Sequence, residues 1–206
     1  MDISSLYQQR IIVIIRHHKS FDVNGLFQAV LECNLHTIEI TLNTPNAFSL
    51  IDAALKSFSK KMLIGAGTVL SMEELMKVID IGVRFIVSPI FDHDMIEYCS
   101  QRGIPIFPGA FSLTEAYNAY SAGANMVKIF PASAYDTSYF RSIKESFPEI
   151  KLMAVGGVRA NNVNDYLTGG ADAVALGAGI IKPEWVEQRN FKAIKQGIID
   201  FQNAII

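Results

Sequence analysis

The sequence predicts an α/β fold, a single (β/α)8 barrel of the TIM type, and three observations support this. Eight short apolar segments alternate with amphipathic helical segments along the 206 residues. A helix, a turn containing Gly or Asn, and an apolar strand recur as one unit, as in 121–130 and 168–177. No linker or change in composition divides the chain.

The alternation of helices and strands predicts a parallel sheet with helical crossovers, and eight repeats favour closure into a barrel. A doubly wound open sheet is the structural alternative. We expect one domain over 1–206, with a short helical segment at its N-terminus.

Each predicted element rests on its own local pattern. The eight predicted strands are Ile11–Ile15, Thr37–Thr41, Met62–Gly65, Phe85–Ser88, Pro105–Pro108, Met126–Phe130, Leu152–Val155 and Ala173–Leu176. The first full helix has the core-facing spacing i, i+3, i+4, i+7 and i+8, at Val23, Leu26, Phe27, Val30 and Leu31. Thr44 followed by Pro45 predicts an N-cap with proline at the first helical position. Ser71 with Glu74, and Ser112 with Glu115, have the spacing of a capping box.

Composition argues against several classes of partner. The chain is 50% hydrophobic and 18% charged, with a net charge of −2, and no basic stripe indicates nucleic acid. Its longest aliphatic run, Ile11–Ile15, is too short to span a membrane, and the N-terminus has no apolar signal-peptide region. Cys33 and Cys99 are far apart and lack metal-ligand spacing, so we expect reduced thiols in a cytoplasmic protein.

Two charged residues occur inside predicted strands. Side chains alternate between the faces of a strand, so Val127 and Ile129 facing the helices would point Lys128 into the barrel. The same alternation around Glu39 points that carboxylate inward. An apolar interior lowers the pKa of a lysine and frees its amine as a nucleophile. The alternatives are a lysine that reaches solvent at the barrel mouth, or a static ion pair with an acid.

Two glycine clusters follow the last two predicted strands. They are AVGG at 154–157 and ALGAG at 175–179. (β/α)8 barrels often bind phosphate at this place through backbone N–H groups, which requires close approach of the backbone. Glycine pairs also occur in ordinary turns, so one cluster alone would not indicate a phosphate site. The prediction depends on finding both clusters at the expected places, after the last two strands.

The sequence Asp92-His93-Asp94 resembles a metal cluster. The two carboxylates are explained more simply as the N-cap and first-turn acids of a helix. We therefore predict no metal and no cofactor.

Several segments, in this order and spacing, resemble one family. They are IEITLNTP (38–45), LIGAGTVL (63–70), VSP (87–89), FPG (107–109), MVKIFPAS (126–133) and AVGGV (154–158). The chain is similar over nearly its whole length to the bacterial 2-keto-3-deoxy-6-phosphogluconate and 4-hydroxy-2-oxoglutarate aldolases. These are metal-independent class I, or Schiff-base, enzymes. The resemblance implies a homotrimer that acts on a small anionic keto acid.

The resemblance also implies roles for individual residues. Lys128 matches the Schiff-base lysine and Glu39 the general acid/base. Thr68 matches a residue that contacts the pyruvate portion, and Pro89 and Phe130 match residues that wall it. The implied phosphate-binding residues are Gly156, Gly157, Gly177, Ala178 and Gly179.

Two positions depart from the family pattern. Phosphogluconate aldolases usually carry an arginine, which helps to hold the substrate carboxylate, where this chain has Asn43, and we expect Asn43 among the substrate-binding residues. The segment LNTP is closer to 2-keto-3-deoxy-6-phosphogalactonate aldolases, which carry an arginine matching Arg16. We therefore predict that Arg16 holds the carboxylate, since a guanidinium can bind it bidentately. Gly179 replaces a serine that contacts phosphate in some members.

The predicted activity is retro-aldol cleavage of a 2-keto-3-deoxy-6-phospho sugar acid to pyruvate and glyceraldehyde 3-phosphate. Within the family, 4-hydroxy-2-oxoglutarate is the alternative substrate. Outside it, the glycine turns would also suit a sugar-phosphate isomerase or epimerase that forms no imine. A catalytically silent barrel that binds a metabolite is the third alternative.

Overall fold

The computed structural model describes residues 4–19 and 21–205. Its strands are β1 (Ile11–Ile15), β2 (Thr37–Thr41), β3 (Leu63–Gly67), β4 (Ile86–Val87), β5 (Ile106–Phe107), β6 (Gly109–Ala110), β7 (Val127–Ile129), β8 (Leu152–Ala154) and β9 (Ala173–Leu176). Its α-helices are α1 (Ser4–Gln9), α2 (Val23–Glu32), α3 (Ala47–Phe58), α4 (Met72–Ile81), α5 (His93–Gln101), α6 (Leu113–Ser121), α7 (Ser138–Ser146), α8 (Val163–Thr168), α9 (Pro183–Glu187) and α10 (Phe191–Asn203). A short 3-10 helix spans Ala132–Ala134.

The strands form one parallel sheet in the order β5-β4-β3-β2-β1-β9-β8-β7-β6. β5 and β6 are consecutive pieces of a single strand, and they pair with β4 and β7 respectively. The two ends of the order therefore meet, and the sheet closes into a barrel. This confirms the predicted (β/α)8 fold and excludes the open-sheet alternative.

The fifth strand is divided at Pro108. Proline has no N–H to donate to a neighbouring strand, whereas the Pro108 carbonyl accepts a hydrogen bond of 2.8 Å from Lys128 N. At Gly109 a side chain would collide with the backbone carbonyl of Pro89. The predicted strand Pro105–Pro108 is therefore wrong in its bounds, since the strand is interrupted at Pro108 and continues at Gly109, which lies against the Pro89 backbone.

The sheet separates two apolar regions. The larger lies between the strands and the helices and includes Val127 and Ile129. The smaller fills the barrel interior, and we call it the packed interior. Its members are Leu6, Ile12, Leu63, Phe85, Val87, Phe107, Met126, Met153, Val155, Ala173 and Ala175. Leu6 comes from α1, which directly precedes β1, so α1 closes the N-terminal end of the barrel.

Three helix N-termini were predicted from capping residues, and the structure has the predicted serine caps at α6 and α4 but not the predicted threonine cap at α3. The Ser112 side chain and the Glu115 side chain form a reciprocal capping box at α6. At α4 Ser71 accepts a hydrogen bond from Glu74 N, while Glu74 binds Leu70 N. The predicted N-cap at Thr44 is wrong. Its hydroxyl lies 3.2 Å from that of Thr41, and α3 begins only after Asn46.

Among residues 4–19 and 21–205, no helix is both long enough and apolar enough to cross a lipid bilayer.

Candidate active site

Lys128 lies on β7 with its side chain inside the barrel. Its neighbours Val127 and Ile129 pack in the outer core, as strand alternation requires. The side chain is only 3% exposed, and its Nζ lies 4.8 Å from the centroid of the Phe130 ring. Burial lowers the pKa of this amine and the Arg16 charge lowers it further, while Glu39 opposes both. Lys128 is therefore closer than an ordinary lysine to the neutral, nucleophilic form.

Glu39 lies on β2 and is 1% exposed. Burial raises its pKa to about 7, against the opposing influence of Lys128 and Arg16. Within the described chain, its Oε2 atom has no hydrogen-bond partner. A carboxyl group whose pKa lies near neutral pH can both accept and donate a proton, as general acid–base catalysis needs.

The backbone of β3 leaves room for Glu39. Gly65 is the register partner of Glu39, and a side chain at Gly67 would collide with the Glu39 carboxylate. Thr68 follows with φ 58°, and its buried Oγ1 has no hydrogen-bond partner within residues 4–19 and 21–205. Two neighbouring strands thus provide two buried polar atoms without a partner in the described residues, the Glu39 Oε2 atom on β2 and the Thr68 hydroxyl directly after β3.

A cavity of about 240 Å³ opens at the C-terminal end of the barrel. Its lining residues come from β1, β7, β8, β9 and the loops that follow them. They are Ile14, Arg16, Lys128, Phe130, Val155, Gly156, Gly157, Val158, Arg159, Ala175, Gly177, Ala178 and Gly179. The structure thus brings the predicted lysine, Arg16, Phe130 and both glycine clusters to one cavity.

The other predicted residues lie around this cavity rather than in its lining. Glu39 is buried in the middle of β2, and Thr68 is half-buried directly after β3. Pro89 lines a neighbouring hollow that shares Phe130 with the main cavity. Asn43 is exposed and belongs to the lining of neither.

The first glycine turn presents its backbone to the cavity. Gly156 and Gly157 have φ values of 88° and 84°, a region that side chains rarely adopt. A side chain at Gly156 would press against the Phe130 ring, with 3.2 Å between its Cβ and Cε2. Ser133 N donates to the Gly156 carbonyl at 3.0 Å, which fixes the turn against the segment after β7. Neither glycine N–H has an acceptor within the described residues, so both are available to an anion.

Arg159 is a lining residue that the sequence did not reveal. It is exposed and lies directly after the GGV turn. Nothing in a single sequence distinguishes an arginine in a surface loop from any other solvated charge. The available signal was its position, as the first cation after a glycine turn already assigned to phosphate.

The Asp92-His93-Asp94 segment behaves as a helix start. The Asp92 side chain accepts a hydrogen bond of 2.9 Å from Met95 N, and Asp94 lies in the first turn of α5. This confirms the N-cap interpretation of Asp92.

A parallel barrel with a buried lysine of lowered pKa, a protonatable carboxyl and a glycine-lined cavity has the groups that barrel enzymes with an amine nucleophile need. A family model described as "Aldolase: KDPG and KHG aldolase" matches residues 3–197, and the chain belongs to this family. It is an aldolase, and hence a lyase.

Named relatives agree with this assignment. The chain is 36% identical over 177 residues to a probable 2-dehydro-3-deoxy-6-phosphogalactonate aldolase of Rhizobium meliloti (strain 1021), covering 85% of this chain and 84% of the relative. It is 34% identical over 155 residues to the 2-dehydro-3-deoxy-6-phosphogalactonate aldolase of Escherichia coli (strain K12), covering 75% and 76%.

A solved structure shows the same fold. KDPG aldolase from Legionella pneumophila, with pyruvate captured at low pH as a covalent carbinolamine intermediate, superposes with a TM-score of 0.87. That protein is 28% identical to this chain, and the match covers 95% of each chain.

Proposed function

We propose that this aldolase cleaves a 2-keto-3-deoxy-6-phospho sugar acid to pyruvate and glyceraldehyde 3-phosphate, through an imine on Lys128. The observation that carries the proposal is a buried lysine of lowered pKa that opens into a cavity ending in two glycine turns. The names of the relatives and the carbinolamine of the Legionella protein support the same chemistry.

The first half of the reaction forms the imine. The neutral Lys128 amine attacks the C2 ketone of the substrate and gives a carbinolamine. Glu39, in its protonated form, donates a proton to the departing hydroxyl, and water leaves. The resulting iminium at C2 is a sink for an electron pair. Glu39 is left ionised, as the second half requires.

The second half breaks the C3–C4 bond. Glu39 takes the proton of the C4 hydroxyl, directly or through a water, and the new carbonyl at C4 departs as glyceraldehyde 3-phosphate. The bonding electrons pass to the iminium and form an enamine. Protonation at C3 and hydrolysis then release pyruvate and regenerate the free amine. The pKa of Glu39, raised to about 7, suits a group that donates and accepts within one cycle.

We propose that Arg16 binds the substrate carboxylate. Arg16 lines the same cavity as Lys128, and its charge lowers the pKa of both Lys128 and Glu39, so we expect it near the substrate carbon that forms the imine. The C1 carboxylate is attached to that carbon. Asn43, by contrast, has a neutral amide side chain that is exposed and outside the cavity lining.

The experiment that tests substrate choice compares two epimers. We propose the phosphogalactonate-type acid as the preferred substrate, supported by the LNTP segment, Arg16 and the two named relatives. Steady-state kinetics on the two C4 epimers and on 4-hydroxy-2-oxoglutarate should give the highest kcat/KM for the phosphogalactonate type. A highest value for 4-hydroxy-2-oxoglutarate would contradict a phosphate-dependent aldolase.

We also propose that the chain acts as a single domain, in a homotrimer, in the cytoplasm. Cys33 and Cys99 are buried free thiols, which suits a reducing compartment. Exposed apolar side chains mark interfaces in soluble proteins when they form a patch. Ile90 and Phe111 are exposed and line the hollow beside Phe130, and α6, which follows Phe111, exposes Leu113 and Tyr117.

Light scattering on the purified protein tests the assembly. The wild type should have three times the chain mass of 22.8 kDa. Ile90→Asp should shift the mass toward the monomer, whereas Ile199→Asp, an exposed apolar residue on α10, should not. A monomeric wild type would contradict the homotrimer.

A further inference from the structure

Arg159 lies where the two glycine turns of the cavity meet. A Cβ built on Gly179 would be 4.0 Å from Cγ of Arg159 and 3.7 Å from the carbonyl oxygen of Val158. The aliphatic part of Arg159 therefore runs beside position 179. Both residues line the same cavity, together with Gly156 and Gly157.

The backbone of Arg159 is fixed on both sides. Its N–H donates to Asn162 Oδ1 at 2.7 Å, and Asn162 Nδ2 donates to the Gly157 carbonyl at 3.0 Å. Its own carbonyl accepts from Val163 N at 2.9 Å. Asn162 thus joins the Gly157 turn to Arg159 and holds the base of the side chain in place. No residue of the described chain forms an ion pair with the Arg159 guanidinium.

A cation at this place would complement the charge of a bound phosphate. A phosphate monoester carries a charge between −1 and −2 near neutral pH. The glycine turns offer backbone N–H groups, which bear only partial charges, and residues 177–179 contribute no side-chain hydroxyl. Arg16 lies near the imine end of the cavity, where its charge acts on Lys128 and Glu39. A guanidinium binds phosphate oxygens with two parallel hydrogen bonds.

We propose that Arg159 binds the substrate phosphate and so makes this aldolase selective for a phosphorylated aldehyde. This inference rests on the proposed function, because it assigns a ligand to the distal end of the same cavity. The guanidinium supplies the charge that backbone groups and Gly179 cannot. Arg16 and Arg159 then bind the two anionic ends of one substrate, and the neutral lysine lies between them.

The test uses the synthetic direction, where the two halves of the substrate are separate. Pyruvate is held at a saturating level, and kcat/KM is measured for glyceraldehyde 3-phosphate and for glyceraldehyde. Arg159→Gln should lower the value for glyceraldehyde 3-phosphate about 10- to 100-fold, the usual effect of losing a hydrogen bond to a charged group. The value for glyceraldehyde should not change. Arg159→Lys should recover part of the loss, because an ammonium keeps the charge without the planar pair of donors.

A matched control separates this effect from a general change in charge. Arg102 is also an exposed arginine, but it caps the C-terminus of α5 and lies over the Tyr98 ring, at 3.5 Å from the ring centroid. Arg102→Gln should leave both aldehyde values unchanged.

The outcomes distinguish the two proposals. An equal loss on both aldehydes, or no loss on either, would contradict a phosphate-binding role for Arg159 while leaving the aldolase proposal intact. A wild-type enzyme that does not prefer glyceraldehyde 3-phosphate would contradict the phosphate pocket itself, and the Arg159 role with it. Failure of the wild type to join pyruvate to either aldehyde would overturn the proposed function.

Discussion

The inside of this barrel contains two contrasting regions. The packed interior is apolar and filled, with the Phe85 and Phe107 rings 5.6 Å apart and Leu6 of α1 closing the end. The reactive end, formed by Arg16, Glu39, Lys128 and the glycine turns, is hollow and charged. The first region resembles any protein core, whereas the second keeps buried ionisable groups that such a core excludes.

A single strand shows the transition. Met126, Lys128 and Phe130 share the inward face of β7 and its flanks. Met126 packs in the interior, Lys128 is buried with a lowered pKa, and Phe130 lines the cavity. Met126 contributes to stability, whereas Lys128, two residues further along the same face, is the proposed nucleophile. Substitutions in the two regions should therefore affect different measurements.

The largest expected effect is on catalysis at Lys128. Lys128→Met removes the nucleophile but keeps a similar volume, so turnover should be lost, by a factor on the order of 10⁴ or more. The protein should still fold, because methionine fills a similar space and Glu39, whose pKa is already raised to about 7, can stay protonated without the lysine charge. Steady-state assays and chemical denaturation test both parts. Measurable turnover at a wild-type rate would refute the nucleophile.

Phe85→Ala in the packed interior should show the opposite pattern. The ring is fully buried against Gly65, and its removal leaves a cavity that should lower the free energy of unfolding by about 3–5 kcal/mol. Folded protein should still form the pyruvate imine. If Phe85→Ala left stability unchanged but prevented imine formation, the two regions would not be separable as described.

Glu39→Gln should lower kcat by about 10²- to 10⁴-fold, the usual contribution of a positioned acid/base. The amide fills the same space beside Gly67, so the fold should remain. Circular dichroism and single-turnover kinetics check the two statements. Retention of wild-type kcat would exclude Glu39 as the proton carrier.

The same substitution predicts a pH dependence of stability. The pKa of Glu39 is raised to about 7 in the folded state, so unfolding lets the group ionise more readily. Its contribution therefore destabilises the fold progressively as pH rises from about 4.5 to about 7, and is constant outside that window. The stability of Glu39→Gln relative to wild type should increase over this range, as measured by denaturation at several pH values. A difference that is flat with pH would contradict the raised pKa.

The smallest effect is expected at Arg16. Arg16→Ala should raise KM for the keto acid about 10-fold or more, as the loss of a hydrogen bond to a charged group does, with a smaller change in kcat. An unchanged KM would remove Arg16 from carboxylate binding.

Sequence patterns predicted the elements that depend on local spacing. β1, β2 and β9 have the predicted bounds, and both inward charges were found by alternation. The break at Pro108 was missed because it depends on contact between Gly109 and the Pro89 backbone in the neighbouring strand's loop. The Thr44 cap was wrong because Thr41 and His17 N both bind its hydroxyl. Arg159 was missed because only the closed barrel brings the loops after β8 and β9 together.

The most direct test of the imine is borohydride reduction in the presence of pyruvate, followed by intact and peptide mass spectrometry. We expect one reduced pyruvate adduct per chain, located on the peptide that contains Lys128, and none on Lys128→Met. Protein that stays unmodified, or an adduct on another lysine in the wild type, would show that the buried lysine of β7 is not the nucleophile.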